Sequence, residues 1–291
     1  MKETRLGIVF MLAASFCFTV QSLAVKLSAS QLNVWQVGAG RFVVGLISML
    51  LIWRIAKIDL WGHRRKALVL RGLLGTAAFL CQVAAVQMLP ISMAMVLFYM
   101  FPIFAALVSI WLNHEPVSPV GWLLIGGAFA GLVVIIQPDK GLSGLGLGHL
   151  MAVFGAIGAG IATSMIRHLR NDNNIVTLYF YVCLIGSLVT AVPVATAPEG
   201  PLPGGPIGWI GLTVSSFMAL GGQMAMNHGF KFIAAGAGGV IMMSQVVLAG
   251  LIGVIYLDEP LTWQLVAGGV LILGCGLALS RLQTRTTAGR G

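Results

Sequence analysis

Charged residues are scarce in this chain, and their scarcity excludes most soluble proteins. Only 17 Lys and Arg and 8 Asp and Glu occur among 291 residues, whereas 58% of the residues are hydrophobic and the mean hydropathy is +0.96. A soluble chain of this length could not bury so much apolar surface, so the composition implies that lipid surrounds the protein. We therefore predict an integral membrane protein.

Motifs for metal, redox or enzymatic chemistry are also lacking. The four cysteines lie in apolar runs without a CxxC pair or a His/Cys cluster, so we expect them to pack as small hydrophobic residues and predict no metal site and no cofactor. His63 and the His114–Glu115 pair are isolated near one membrane surface, which disfavours an enzyme. The net charge of +9 is spread over short breaks between apolar runs, which argues against a nucleic-acid partner.

Carboxylates are absent from the interior of every apolar segment. All eight lie in or beside predicted loops: Glu3, Asp59, Glu115, Asp139, Asp172, Glu199, Asp258 and Glu259. Because proton and sodium relays usually use an Asp or Glu inside the membrane, this distribution argues against strong ion coupling.

Ten apolar segments are each long enough to cross a hydrocarbon core of about 30 Å as a helix. They lie near residues 6–25, 34–53, 68–88, 91–112, 120–137, 147–166, 176–195, 207–228, 234–256 and 262–280. The breaks at Leu89–Pro90 and Phe230–Ala234 are short, so nine helices are the alternative. The first segment resembles a secretory signal, but its apolar run is long and no clear cleavage site ends it, so we predict a membrane helix there.

Lysine and arginine are divided unevenly between alternate loops. If the N-terminus is cytoplasmic, the inner loops and ends carry thirteen Lys and Arg residues, and the outer loops carry only Lys26 and Lys140. The positive-inside rule then places both termini in the cytoplasm. Tryptophan, which prefers the headgroup level, supports the same boundaries, because all seven occur near predicted helix ends.

The chain repeats itself. The stretch Ala84–Pro116 returns as Phe230–Pro260, with Glu115–Pro116 falling on Glu259–Pro260 at an offset of 144 residues. At an offset of 141 residues three further pairs match: Gly7 with Gly148, Ser22 with Thr163, and Lys26 with Arg167. Since each half holds five helices, the second half must cross the membrane in the opposite sense. We predict two inverted repeats, at 1–140 and 141–281, followed by a disordered cytoplasmic tail at 282–291.

Polar side chains within the apolar segments are the candidate binding residues, because a polar group at membrane depth needs a partner or a cavity. We select a set that could face one shared cavity: Ser22, Arg41, Gln82, Tyr99, Thr163, Gln223, Asn227 and Gln245. The structural alternative is that Ser and Thr bond to their own helix, that Gln and Asn join helices, and that Arg41 reaches the headgroups. Arg71, near a predicted helix start, is interpreted as reaching the interface in that way.

The order of these features resembles the EamA-type branch of the drug/metabolite transporter superfamily. The first half carries the pattern in the following residues: Gly72–Thr76, Ala85–Ala94, Pro102, Glu115–Pro116 and Gly126–Gly127. The second half repeats it with these residues: Gly211, Ala234–Gly238, Glu259–Pro260 and Gly268–Gly269. It departs from the first half at Val246, which replaces Pro102. The resemblance implies a central cavity enclosed by helices 1–4 and 6–9, peripheral helices 5 and 10, and alternating access between the halves.

The function predicted from these observations is transport of a small molecule. An intramembrane enzyme and a scaffold or receptor are the other classes considered. Few interior charges favour a zwitterionic or neutral solute over a polyanion. Within the family, the layout resembles bacterial inner-membrane exporters of amino acids, including aromatic ones, so we predict amino-acid export, down the solute gradient or by exchange. Uptake or exchange of another metabolite, such as a vitamin or a nucleoside-type cofactor, is the alternative. Membrane lipid is the expected surrounding, and the expected state is a monomer or weak dimer.

Overall fold

The structure is a computed structural model that describes residues 2–28, 30–89, 94, 97–136, 146–198, 200, 202–256 and 262–288. All regular secondary structure in these ranges is helical. The helices are α1 (Lys2–Leu27), α2 (Val34–Ala56), α3 (Arg65–Met88), α4 (Phe101–Leu112), α5 (Pro119–Ile136), α6 (Leu147–Leu169), α7 (Ile175–Ala195), α8 (Pro206–Gly229), α9a (Ala235–Met242), α9b (Ser244–Tyr256) and α10 (Trp263–Ala288). With α9a and α9b counted as one broken helix, the ten predicted helices are confirmed.

The differences from the predicted boundaries have local causes. The fourth helix is predicted from residue 91, and Ala94, Leu97 and Phe98 are helical, while residues 90–93, 95 and 96 lie outside the described part of the chain. The continuous helix α4 begins at Phe101, directly before Pro102, which suits a first helical turn. The ninth helix is interrupted at Met243, where hydrogen bonds join residues three apart instead of four. The Met243 N–H donates to Val240 O at 3.1 Å, and the Met243 carbonyl accepts from Val246 N at 3.0 Å. The breaks at Pro90 and at Glu259–Pro260, together with Asp139, Lys140 and Glu199, lie outside the described residues.

The predicted disordered tail is helical over most of its length. The prediction ended the last helix at residue 280 and began the tail at 282, but α10 continues to Ala288. No Gly or Pro occurs between these positions, so nothing in the backbone stops the helix where the apolar run ends. Residues 289–291 lie outside the described part of the chain.

Matching helix caps mark the two repeats. Asn33 precedes α2 and its side chain accepts a bond from Gln36 N at 2.9 Å, while Asn174 precedes α7 and accepts from Thr177 N at 2.8 Å. The two asparagines are 141 residues apart, the offset already found for the first helices of the halves. An Asn at this position satisfies one of the unpaired N–H groups of the first turn. The second helix of each half therefore begins in the same way.

Helix packing follows a two-fold relation between the halves. Helix α1 packs against α8 while α3 packs against α6, and three further pairs join equivalent helices: α2 with α7, α4 with α9a, and α5 with α10. Exchanging the halves maps each of these pairs onto another pair or onto itself. The contacts of α5 are mainly with α10, where Gly131 and Gly268 bring the two backbones together. This pair is peripheral to the other helices.

The second half runs in the opposite direction to the first. Arg64, at the start of α3, pairs with Asp172 just after α6, and Arg167 near the end of α6 bonds to the Lys231 carbonyl just after α8. Gly7, near the start of α1, packs against Ile233 in the same region. The starts of α1 and α3 therefore lie at the same end of the molecule as the end of α6, which makes the two five-helix repeats inverted.

We call this end of the molecule the basic end because it carries most of the cationic residues. They are Lys2, Arg5, Arg54, Lys57, Arg64, Arg65, Lys66, Arg167, Arg170, Lys231, Arg281 and Arg285. Within the described ranges, only Lys26 lies near the opposite end, in the last turn of α1.

Six of the described helical stretches are long and apolar enough to cross a membrane: α1, α2, α3, α6, α7 and Ala235–Ile252, which spans the break between α9a and α9b. Large apolar side chains on α1 and α2 are exposed on the outside of the bundle, among them Val9, Phe16, Ile47 and Leu51. Such a surface suits contact with lipid tails.

Candidate functional site

Four polar side chains form a continuous hydrogen-bonded chain inside the bundle. Arg41 Nη2 on α2 donates to Gln223 Oε1 on α8 at 3.2 Å, and Gln223 Nε2 donates to Asn227 Oδ1 at 3.1 Å. Arg71 Nη2 on α3 donates to the same Asn227 Oδ1 at 3.3 Å. We call Arg41, Arg71, Gln223 and Asn227 the two-arginine cluster. It joins three helices drawn from both repeats.

Helix geometry explains why these residues meet. Gln223 and Asn227 are four residues apart, so both point to one face of α8, and both are buried. Glycines let the neighbouring helices approach closely: Gly222 on α8 faces the ring of Phe18 on α1, and Gly40 on α2 faces Leu212 on α8. The amide groups are thereby held beside α2 and α3 rather than toward lipid.

Arg41 is held by aromatic rings as well as by Gln223. Its guanidinium carbon lies 4.4 Å from the ring centroid of Phe79 on α3 and 5.9 Å from that of Phe18 on α1. The quadrupole of an aromatic ring attracts a cation at such distances. Arg41 is half-buried and turned into the bundle, so the alternative that it reaches the headgroups does not describe this structure.

Arg71 does not reach the interface, and that interpretation was wrong. Only 3% of its surface is exposed, and its Nη1 donates to the Leu178 carbonyl on α7 at 2.8 Å. The cause is tertiary: the neighbouring Gly72 packs directly against the backbone of Tyr181, which brings α3 onto α7 over Arg71. Arg71 is linked to Arg41 through Asn227 and Gln223. Arg71 is therefore a second buried cation, and its burial is the main feature of the site that the sequence does not predict.

Several donors in the two-arginine cluster have no acceptor. Nε of Arg41, Nε of Arg71 and Nδ2 of Asn227 are buried without a hydrogen-bond partner in the described structure. The described ion pairs involve other arginines, at the basic end, so neither Arg41 nor Arg71 is matched there with a carboxylate. Buried donors and cations are normally satisfied, so such a cluster is suited to bind an anionic acceptor.

Ser22 and Gln245 form a second, smaller polar contact. Gln245 Nε2 on α9b donates to Ser22 Oγ at 3.3 Å, and Ser22 Oγ donates to the carbonyl of Phe18, the residue whose ring borders Arg41. Ser22 therefore bonds to its own helix and also joins α1 to α9b. This contact lies about one helical turn from Phe18, on the side away from the basic end.

The other three candidates are not part of either polar group. Tyr99 is buried among aromatic rings, with centroids 6.1 Å from Phe98 and 6.1 Å from Phe101. Gln82 is half-buried on α3 where α3 packs against α6, and Thr163 is buried on α6. The structure thus brings Arg41, Gln223 and Asn227 together, pairs Ser22 with Gln245, and leaves Gln82, Tyr99 and Thr163 separate. Their roles in binding stay predictions.

The basic end is closed by an ion pair that the repeated Glu-Pro provides. Arg167 Nε donates to Glu115 Oε1 at 2.8 Å, and Arg167 Nη1 donates to the carbonyls of Phe230 and Lys231. Glu115 Oε2 also accepts from Ser109 Oγ at 2.7 Å. These bonds tie α4 and α6 to the connection between α8 and α9a.

A neighbouring group of bonds joins the two repeats at the basic end. Arg64 pairs with Asp172 at 3.2 Å, and His63 N donates to Asn173 Oδ1 at 2.7 Å. Arg170 Nε donates to the carbonyl of Asn227 at 3.1 Å, and burial lowers the pKa of the Arg170 guanidinium. Within the described ranges, no three His, Cys, Asp or Glu side chains converge on one point.

The opposite end is held by neutral hydrogen bonds. Gln36 Nε2 on α2 donates to the carbonyls of Gly200 at 3.0 Å and Leu202 at 2.9 Å, and Gln31 Oε1 accepts from Gly208 N at 2.7 Å. A cavity of about 560 Å³ opens there between the start of α2 and the end of α7. Its lining is Asn33, Val34, Trp35, Val192, Pro193, Thr196, Ala197 and Pro198. None of these side chains carries charge, so the cavity lining has no cationic group that could bind an anion.

Known proteins share this architecture. Residues 5–137 and 146–281 each match the EamA-like transporter family. The chain is 25% identical over 281 residues to solute carrier family 35 member G1 of Homo sapiens, and the alignment covers 92% of this chain and 77% of the human protein. It is 26% identical over 276 residues to the pseudopaline exporter CntI of Pseudomonas aeruginosa, and this alignment covers 94% of this chain and 96% of the exporter. A solved crystal structure, 17% identical, has the same fold with a TM-score of 0.82, covering 96% of this chain and 98% of that one. Because both matched halves together span nearly the whole sequence, this protein belongs to the EamA-like transporter family and is a membrane transporter rather than an enzyme.

Proposed function

We propose that this transporter exports small solutes that carry a carboxylate, amino acids foremost, and that it binds them at the two-arginine cluster. The observation that carries the proposal is the incomplete hydrogen bonding of Arg41 in the interior of the bundle. Arg41 faces the interior between α1, α2, α3 and α8, and its Nε has no acceptor. An α-carboxylate would supply both the missing acceptor and the missing negative charge.

The surroundings of Arg41 suit the rest of an amino acid. Phe18 and Phe79 offer apolar faces for an aliphatic or aromatic side chain. Ser22 and Gln245, one turn from Phe18, provide neutral oxygens that could accept bonds from an α-ammonium group. These features support Ser22, Arg41, Gln223, Asn227 and Gln245 as binding residues more directly than Gln82, Tyr99 or Thr163.

Alternating access would arise from relative motion of the two inverted repeats. Ion pairs and carbonyl bonds hold the basic end, and neutral bonds hold the opposite end, so each end has contacts that must break when that end opens. The cluster lies between them and includes residues of both repeats. This arrangement supports a solute site reached from one side at a time.

Orientation and direction follow from charge and from one relative. The positive-inside rule places the basic end, with both termini, in the cytoplasm. A bacterial inner membrane is the location that we propose. One of the matched relatives is named a pseudopaline exporter, and this supports outward rather than inward transport. We propose a monomer or weak dimer as the working unit, and transport without strong ion coupling.

The test is counterflow of labelled amino acids into liposomes that contain the purified, monodisperse protein. Neutral, aromatic and acidic amino acids are tested in parallel with liposomes that lack the protein. We expect labelled solute to accumulate several-fold above the empty liposomes for at least one class. Absence of counterflow across the whole panel would rule out amino-acid transport. Counterflow of vitamins or nucleoside-type cofactors instead would establish the alternative carrier.

A further inference from the structure

We propose that the two-arginine cluster is a site for a solute with two anionic groups, such as a small dicarboxylate or an acidic amino acid, with one anionic group at each arginine. This inference rests on the proposed transport function and narrows its substrate class. It replaces the expectation of a zwitterionic or neutral solute, which assumed that Arg71 lay at the membrane interface. The buried position of Arg71 gives the interior a second cation.

The geometry presents two cations at a defined spacing. Arg41 bonds to Gln223 and Arg71 bonds to Asn227, and these two partners are successive on one face of α8. Residues four apart on a helix are separated by about 6 Å along its axis. A solute lying along this face of α8 could therefore place one carboxylate near each guanidinium. Gln223, which bonds to both Arg41 and Asn227, lies between the two positions.

Unpartnered donors occur at both positions. Nε of Arg41 is unpartnered at the first, and Nε of Arg71 and Nδ2 of Asn227 are unpartnered at the second. Arg71 and Asn227 are 3% and 0% exposed, so water at the surface does not satisfy them. Because arginine presents a planar fork of N–H groups, each position can hold a carboxylate through more than one bond.

Charge balance favours two anionic groups over one. Arg41 and Arg71 are linked through Gln223 and Asn227, and like charges repel each other in a medium of low dielectric constant. A single carboxylate would neutralise one cation and leave the other unmatched. The four carboxylates within the described ranges, Glu3, Asp59, Glu115 and Asp172, all lie at the basic end, so none of them competes for either arginine.

A purely structural role for Arg71 is the competing explanation. Its bonds to the Leu178 carbonyl and to Asn227 join α3 to α7 and α8, and they would exist without any solute. Such a brace makes no distinction between an acidic solute and its neutral amide. Binding of matched acid and amide pairs therefore separates the two explanations.

The experiment measures binding of L-glutamate and L-glutamine, and of succinate and succinamate, to the purified full-length protein by calorimetry. We expect each acid to bind at least about tenfold more tightly than its amide. The variant Arg71→Gln should lose this preference while still binding glutamine. Arg71→Lys should retain part of it, because the charge remains. Arg65→Gln, which alters an exposed arginine beside Trp61, is the matched control and should bind like the wild type.

Each outcome decides the inference. Equal affinity for acid and amide in the wild type would overturn it, even if Arg71→Gln does not fold. So would a folded Arg71→Gln variant that keeps the full preference for the acid. In either case, measurable binding of neutral amino acids would leave the proposed amino-acid transport intact. Failure to bind either acid would also overturn the inference, whereas the counterflow panel tests the proposed function separately.

Discussion

Two arginines at the basic end, Arg64 and Arg167, have carboxylate partners, whereas the interior Arg41 and Arg71 have none within the described structure. At the basic end, Arg167 has a carboxylate of its own chain, since its Nε lies 2.8 Å from Glu115 Oε1. In the interior, Arg41 and Arg71 have no carboxylate partner within the described structure, and each leaves its Nε unpartnered. The paired arginine completes a structural contact, whereas the interior arginines lack negative charge that a solute could supply.

This difference matters because burying an unpaired cation is unfavourable. On insertion scales an arginine at the centre of a membrane helix costs about 2.5–3.5 kcal/mol. An internal carboxylate offsets part of that cost for Arg167, whereas Arg41 and Arg71 have no such partner in the described structure. Retaining two interior cations without such a partner is consistent with a site that binds an anionic solute. Four changes test this comparison, beginning with the largest expected effect.

Removing the interior cation that the proposal depends on should nearly abolish transport. In Arg41→Ala the solute carboxylate loses a charged hydrogen-bond partner, and such bonds contribute about 1.5–3 kcal/mol, which corresponds to roughly a tenfold to hundredfold loss. The measurement is the initial rate of counterflow in proteoliposomes. Arg54→Ala, at an exposed position on the same helix, is the control. Unchanged kinetics in Arg41→Ala would show that the interior arginine has no part in binding.

Giving the interior its own carboxylate should make it resemble the basic end. Gln223→Glu would place a negative charge where Gln223 Oε1 now lies, 3.2 Å from Arg41 Nη2. We expect the melting temperature of the empty protein to rise by a few degrees and solute affinity to fall about tenfold, since the solute must then displace an internal ion pair. Gln223→Met, which fills similar space without charge, is the control. Full solute affinity in Gln223→Glu would contradict the proposal.

Breaking the pair at the basic end should reduce stability without changing affinity. In Glu115→Gln, Arg167 keeps its bonds to the carbonyls of Phe230 and Lys231 but loses the charge of its partner. Because the pair is only partly buried, we expect a loss of about 1–2 kcal/mol, seen as a lower melting temperature in detergent. Solute affinity measured by calorimetry should stay within about twofold of the wild type. A large loss of affinity would mean that the basic end also contributes to the binding site.

The fold could be predicted from the sequence because it depends on composition and duplication. Hydropathy predicts the ten helices, and the matched pairs, among them Gly7 with Gly148, predict the two repeats. The break at Met243 could not be predicted in this way, since no Gly or Pro stands between Val240 and Ala249. The continuation of α10 to Ala288 was missed because hydropathy reports where the apolar run ends rather than where the helix ends.

The candidate site was predicted in part, for a physical reason. Gln223 and Asn227 share a helix face, which spacing alone reveals, and Arg41 lies deep within an apolar run. Arg71 lies only six residues beyond the start of α3, so its depth depends on how closely Gly72 lets α3 approach α7. That approach is a tertiary property. The aromatic packing of Tyr99 with Phe98 and Phe101 likewise could not be separated from a cavity position by sequence.

The smallest effect should come from the exposed pair at the basic end. Arg64 and Asp172 are 3.2 Å apart, but 54% and 38% of their side-chain surfaces are exposed. Solvent and salt screen such a pair, so Asp172→Asn should change stability by less than about 1 kcal/mol and leave transport unchanged. Thermal unfolding at low and high salt measures this, with Glu115→Gln as the more buried reference. If Asp172→Asn destabilises the protein as much as Glu115→Gln, burial does not determine the strength of these pairs. The comparison between interior and surface arginines would then lose its physical basis.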